Sequence, residues 1–346
     1  MEEALQHFFF ELHPVLLGVT IAFSLAVLAK AADWLVDEAV ALSERSGIPK
    51  TVIGATVVSL GTTTPEAAVS VLAAMAGRPG LALGNAVGSV ICDTGLILGL
   101  ACLIAPLRLD PRVVSHQGWI QLIAGFGIVA ACFPWSDPGS AFSAGGHLSQ
   151  IMGFTFVICL GIYLWVSVRW AQRGIGADDV EGHEEDIHRP LPFVIVKLVT
   201  AVALVVGSAQ VLIPAVTAAA MRMHVPESII AATMVAFGTS LPELVTAISA
   251  ARRGHGELAV GNVIGADILN VLFVAGTAAA VTPSGLQASP YFFQTLFPIM
   301  LFILVVFRAG IIFSGDYMRK PFGFVLLAAY GFYTVVSFVF RGDSNF

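Results

Sequence analysis

Apolar residues run along this chain in long blocks separated by short polar or turn-rich breaks. A bilayer core is ~30 Å thick and an α-helix crosses it in ~20 residues, so each block has the length of a span. Ten blocks qualify, near 14–43, 49–77, 80–105, 115–134, 149–171, 191–221, 226–252, 257–281, 291–313 and 319–340. The breaks carry turn chemistry: Ser46-Gly47-Ile48-Pro49, Gly77-Arg78-Pro79-Gly80, Asp110-Pro111, Pro134 to Gly146, and Thr282-Pro283-Ser284-Gly285. The pattern predicts an all-α polytopic membrane protein with ten transmembrane helices.

Two blocks are interrupted in the same way, by Gly61-Thr62-Thr63-Thr64-Pro65-Glu66 and by Gly238-Thr239-Ser240-Leu241-Pro242-Glu243. Each interruption puts a carboxylate at membrane depth, which costs about 2.5 to 3.5 kcal/mol on insertion scales and marks an ion or substrate path. Pro65 and Pro242 lack an N–H, so the carbonyls of Gly61 and Gly238 lose their helical partner and the backbone is expected to unwind. Unwound backbone, small hydroxyls and a glutamate make the oxygen-rich pocket that a hard cation requires. The competing reading is a proline kink whose glutamate is satisfied by neighbouring helices.

Displacing the chain by 177 residues aligns 51–100 with 228–277 without a gap, and 18 of the 50 pairs are identical. The identities include Thr56/Thr233 and a second cluster, Gly84-Asn85/Gly261-Asn262 followed by Gly88/Gly265. Five spans separate the copies, an odd number, so the second copy enters the membrane from the opposite side. The expected architecture is therefore two inverted-topology five-helix repeats with broken helices at a midplane ion site. The first repeat is 1–171 with its motif region near 49–105; the second is 191–346 with its motif region near 226–281. Between them lies 172–190, with six acids and two histidines; it reads as a solvated cytoplasmic linker or as a regulatory cation site.

Asp93 follows Ser89 by four residues and faces the same side of its helix; Asn270 stands in the same relation to Ala266. The inferred pocket contains Glu66, Glu243 and Asp93, the amide of Asn270, and the hydroxyls of Thr62, Thr63, Thr239, Ser240 and Ser89. Asp93 has an alternative role as an interhelical strut. Asp267 is either a fourth acid near the pocket or a partner of a nearby Thr or Asn.

At these residues the chain resembles the cation/calcium antiporter superfamily, and within it the sodium/calcium exchangers, over both motif regions and the ten-helix layout. The resemblance implies that Glu66 and Glu243 bind Ca²⁺ with Thr62 and Thr239. It also implies sodium sites using Thr63, Ser89 and Ser240 with the backbone of Ser59 and Ala236. Relatives of this type commonly read Gly-Ser-Asn in both copies. Here Ala266 lacks the hydroxyl, Val90 and Asp267 replace Asn, and the acid of the Asn/Asp pair sits in the first copy. These departures bear on sodium stoichiometry and on the identity of the counter-ion.

Composition narrows the alternatives. The chain is 57% hydrophobic and 12% charged, and a net charge of −6 excludes nucleic acid as a partner. The acidic stretch before His13 contains no Lys or Arg, so the first span is expected to stay in the mature protein. Cys92, Cys102, Cys132 and Cys159 sit in apolar stretches without metal-ligand spacing and read as packing residues. With the N-terminus outside, thirteen Lys and Arg fall in or near inner loops and three (Arg78, Arg222, Arg341) in outer ones. That asymmetry predicts both termini outside, in a bacterial or archaeal plasma membrane. The expected activity is exchange of Ca²⁺ for Na⁺ by alternating access, with no cofactor and the lipid bilayer as partner. The alternative is a proton-coupled calcium exchanger, since buried carboxylates can carry protons. A hydrolase would need an Asp dyad or a Ser–His pair, and neither is visible; a channel would use acid rings in a symmetric oligomer, and two inverted repeats inside one chain argue against it.

Overall fold

A computed structural model describes residues 8–109, 111–172, 190–223 and 238–341. The 172–190 linker, Ala236 and Thr233 fall wholly or almost wholly outside these residues. The helices, in chain order, are α1 (Pro14–Ser46), α2 (Lys50–Thr62), α3 (Thr64–Met75), α4 (Pro79–Ile104), α5 (Pro111–Cys132) and α6 (Gln150–Gln172). They continue as α7 (Leu191–Arg222), α8 (Leu241–Arg252), α9 (Gly256–Ala280), α10 (Phe292–Ser314) and α11 (Lys320–Arg341). Among the described residues seven helices are long and apolar enough to cross a membrane, eight if α2 and α3 count as one bent span.

The expected unwinding at Pro65 is milder than a gap in the helix. Only Thr63 separates α2 from α3, with φ −83° and ψ −5°, and the axes bend by 44°. Proline is tolerated in the first turn of the new helix, where its N–H would be unsatisfied anyway, so the chain resumes helical geometry at once.

α9 is the centre of the molecule: 94% of its most apolar stretch is buried, against 28% for α1 and for α7. Glycines allow its backbone to lie directly on α2. A Cβ on Gly265 would meet the Ala55 carbonyl oxygen at 2.4 Å, one on Gly261 the Thr51 oxygen at 2.2 Å, and one on Gly54 the Leu258 oxygen at 2.6 Å. Small residues that let backbones touch are what holds helices together where lipid removes the hydrophobic drive. The lipid side shows the opposite pattern: Ile151, Phe154, Ile158, Ile162 and Trp165 form an exposed stripe at helical spacing along α6. All four cysteines are free, three of them buried.

Two structural pairings mirror one another. Gly99 of α4 approaches Gly323 of α11, the would-be Cβ lying 3.3 Å from the Gly323 oxygen; Gly276 of α9, 177 residues on, approaches Gly153 of α6 at 3.5 Å. The connections pair likewise. Gly146–Leu148 (β1) forms an antiparallel ladder with Leu286–Ala288 (β2), while Arg108 bridges Tyr317. In each case the connection before or after α5 meets its counterpart before or after α10.

α1 and α7 pack side by side as a pair on the flank of this body. Lys197 of α7 lies 3.3 Å from Glu38 of α1, whose same oxygen accepts from Trp34 Nε1 at 3.1 Å. Contacts of α1 with α8 are polar: Ser249 donates to Asp33 at 2.6 Å and Arg253 pairs with Asp37.

Candidate functional site

The α2–α3 break and the start of α8 meet in the interior. Thr63 Oγ1 donates to Glu243 Oε1 at 3.1 Å, joining the first motif to the second. Glu66 and Glu243 each sit in the first turn of the helix that follows the break, where the helix dipole favours a carboxylate. Both are about 1% exposed.

Thr62 Oγ1 turns back toward the Val58 and Ser59 carbonyls, both at 3.3 Å, which spends its proton on the helix. The Ser59 carbonyl also accepts the Thr63 N–H at 2.8 Å. Thr239 Oγ1 and Ser240 Oγ have no hydrogen-bond partner among the described residues. Ser89 is buried one turn before Asp93 on α4.

α4 and α9 close the pocket from the other side, and both widen into π-helical turns where they do so, over Ile91–Leu98 and Asn270–Ala275. Such turns are frequent at functional sites. Asn270 Nδ2 donates to Asp93 Oδ2 at 3.1 Å. Asp93 thus links α4 to α9.

Asp267 takes the role of a threonine partner. Thr94 donates to its Oδ2, as does Gln121 Nε2 at 2.5 Å. Gln121 was not identified from the sequence; the available signal was an amide in the middle of an apolar span, four residues after Gln117. Asn85 was visible only as part of a repeated Gly-Asn pair. Its Nδ2 donates to Ser70 Oγ at 2.9 Å and to the Glu66 carbonyl at 3.4 Å, fixing α3 against α4 beneath the first glutamate. The second copy has Ala247 in place of Ser70, and the amide of Asn262 is buried without a partner among the described residues.

The arrangement is rich in unspent oxygen. Both oxygens of Glu66, Oε2 of Glu243, and one oxygen each of Asp93, Asn270 and Asp267 are buried with no hydrogen-bond partner among the described residues. None of these acids forms an ion pair there. Among the described residues no three acidic, His or Cys side chains converge as ligands of one ion. A bound cation would complete its shell from hydroxyls, carbonyls and the Asn270 amide oxygen, the donor set a hard ion accepts.

A family model described as sodium/calcium exchanger protein matches residues 16–169 and 193–339. Sodium/calcium exchanger MaX1 of Methanosarcina acetivorans is 28% identical over 92% of this chain and 97% of its own length. Inner membrane protein YrbG of Escherichia coli is 32% identical over 82% of this chain and 85% of its own. The solved structure of the sodium-calcium exchanger NCX_Mj superposes with a TM-score of 0.75 at 27% identity, covering 91% of this chain and 97% of that one.

Proposed function

The chain belongs to the sodium/calcium exchanger protein family, and from that premise we propose that it extrudes Ca²⁺ in exchange for Na⁺ by alternating access, with ten spans in two inverted repeats. The observation that carries this reading is Glu66: a carboxyl group about 1% exposed with neither oxygen hydrogen-bonded among the described residues. Leaving such a charge unpaired in an apolar interior is prohibitive, so the side chain must take up a proton or hold a cation, and the described residues supply no counter-charge. A divalent ion between Glu66 and Glu243, with the oxygens of Thr62 and Thr239, meets that demand. When it leaves, monovalent ions at Thr63, Ser89, Ser240, Asp93, Asn270 and the backbone of Ser59 and Ala236 restore neutrality. This is why one ion must replace the other.

The inverted repeat supports the mechanism. Two halves of similar structure, inserted in opposite senses, offer two arrangements of nearly equal energy that open to opposite sides. The mirrored pairings of α4 with α11 and α9 with α6 extend that relation beyond the aligned fifty residues.

The test is flux in proteoliposomes holding the purified chain. ⁴⁵Ca²⁺ uptake should require an opposed Na⁺ gradient, and Glu66→Gln or Glu243→Gln should reduce it about a hundredfold or more, because Ca²⁺ depends on carboxylates to offset dehydration. Uptake driven equally by a proton gradient without Na⁺ would favour proton coupling. Near-normal uptake by either mutant would remove the proposal.

A further inference from the structure

Arg308 is a buried cation within an apolar helix, and the exchange site does not use it. It lies on α10 six residues before Ser314, the last residue of that helix, or roughly 9 Å inside its end. The residue is 7% exposed. Nη2 donates to Ser115 Oγ on α5 at 3.1 Å, and the guanidinium lies 4.5 Å over the ring of Trp119, one turn further along α5. Nε and Nη1 are buried without a hydrogen-bond partner, and no carboxylate pairs with the group, among the described residues. An arginine at such a depth is costly unless its charge and its donors are met. One hydroxyl and one ring meet them only in part.

The surroundings point to what completes them. Trp119 is 48% exposed and continues into the exposed side chains of Ile123 and Phe126, a lipid-facing stripe at helical spacing. The start of α5 meets the end of α6 through Gln117 with Ser167 and His116 with Trp170, and there Arg169 lies 5.1 Å over the exposed ring of Trp165. Aromatic rings and snorkelling cations collect in this way at headgroup level. We propose that Arg308, Ser115 and Trp119 form a site for the phosphate of an anionic phospholipid at the boundary of α5 and α10, with its acyl chains along Ile123 and Phe126. A phosphate brings the compensating charge and several acceptor oxygens, and the guanidinium fork takes two of them at once. It arrives at the Nη2 edge beside the half-buried Ser115 hydroxyl, and a second donor joins as the Trp119 ring turns outward. A lipid fits better than a soluble phosphate because the open wall of the site is apolar. A zwitterionic headgroup would bring a cation of its own to compete with Arg308. The proposal needs only a membrane-embedded chain and is independent of which ions are exchanged.

Wild type and Arg308→Gln are purified and titrated with phosphatidylglycerol, phosphatidylcholine and inorganic phosphate, with bound molecules counted by native mass spectrometry. Wild type should hold phosphatidylglycerol about tenfold more tightly than phosphatidylcholine, and Arg308→Gln should lose that preference, the factor expected of one charge-assisted hydrogen bond. Inorganic phosphate should neither bind nor displace the lipid. Arg308→Lys keeps the charge without the fork and should retain part of the preference, as should Ser115→Ala. These two serve in place of Arg308→Gln should that variant fail to fold. An unchanged preference in all three variants would overturn the site, since water then satisfies the guanidinium. Displacement of phosphatidylglycerol by inorganic phosphate would overturn its assignment to lipid.

Discussion

Asn270 hydrogen-bonds Asp93 at 3.1 Å, and the two residues are 177 positions apart. That separation is the offset at which the two copies align, so each residue is bonded to its own counterpart. The contact therefore joins the two halves at their line of relation, and the amide–acid difference is the one asymmetry there.

Replacing the acid tests what the asymmetry does. Asp93→Asn keeps the shape and one bonding partner while removing a charge from the pocket. Calcium uptake should persist, and half-saturating Na⁺ should rise by about 5- to 100-fold, the usual span of a coupling energy. The measurement is ⁴⁵Ca²⁺ exchange against a Na⁺ titration; an unchanged titration would reduce Asp93 to a strut.

The glycine seam makes a stability prediction. In Gly265→Ala the added methyl meets the Ala55 backbone at about 2.4 Å, and backbone cannot swing aside as a flexible side chain can. Overpacking of this kind costs about 1–3 kcal/mol. Gly18→Ala, where nothing lies within 4 Å, is the control and should match or exceed wild type. Melting of the detergent-solubilised protein separates the two.

Topology can be read by labelling. Single cysteines replacing Arg45 and Arg253 should react from the same, cytoplasmic side, and one replacing Arg78 from the other. The basis is the distribution of Lys and Arg between loops. Labelling of the Arg45 and Arg253 positions from different sides would refute the inverted arrangement.

His255, in the turn between α8 and α9, is held neutral. Burial, with Lys50 and Arg253 nearby, lowers its pKa from 6.5 to about 4. Its folded-state pKa is depressed, so the unfolded chain binds the proton more readily. The associated stability is present above pH 6.5 and is lost as the pH falls toward about 4. His255→Gln should therefore lose less thermal stability than wild type across that window. Parallel losses would show that acid sensitivity arises elsewhere.

Much of this molecule was legible in the sequence because a membrane imposes long apolar blocks and penalises buried charge. The described helices fall within a few residues of the predicted blocks, and the break falls at the residue next to Thr64-Pro65. What sequence could not give was partnership. Asp267 stood equally well as a pocket acid or a threonine partner, and only the approach of α5 decided that Thr94 and Gln121 share it. Asn85 and Asn262 look identical in the repeat, yet they differ because Ser70 has no hydroxyl counterpart at Ala247. The kink was overestimated as an unwound segment, since a proline in the first turn of a helix costs little.

The seam between α2 and α9 sets a condition on biogenesis. Backbone around Ala55 rests on Gly265, more than two hundred residues later, and Thr63 finds Glu243 only once that segment exists. During synthesis the first half enters the bilayer with Thr63 and Asp93 lacking their second-half partners. The nascent half must then be sheltered by water, by a translocon or by its own helices until α9 arrives. Two separately expressed halves should accordingly be unstable alone and rescue one another when made together.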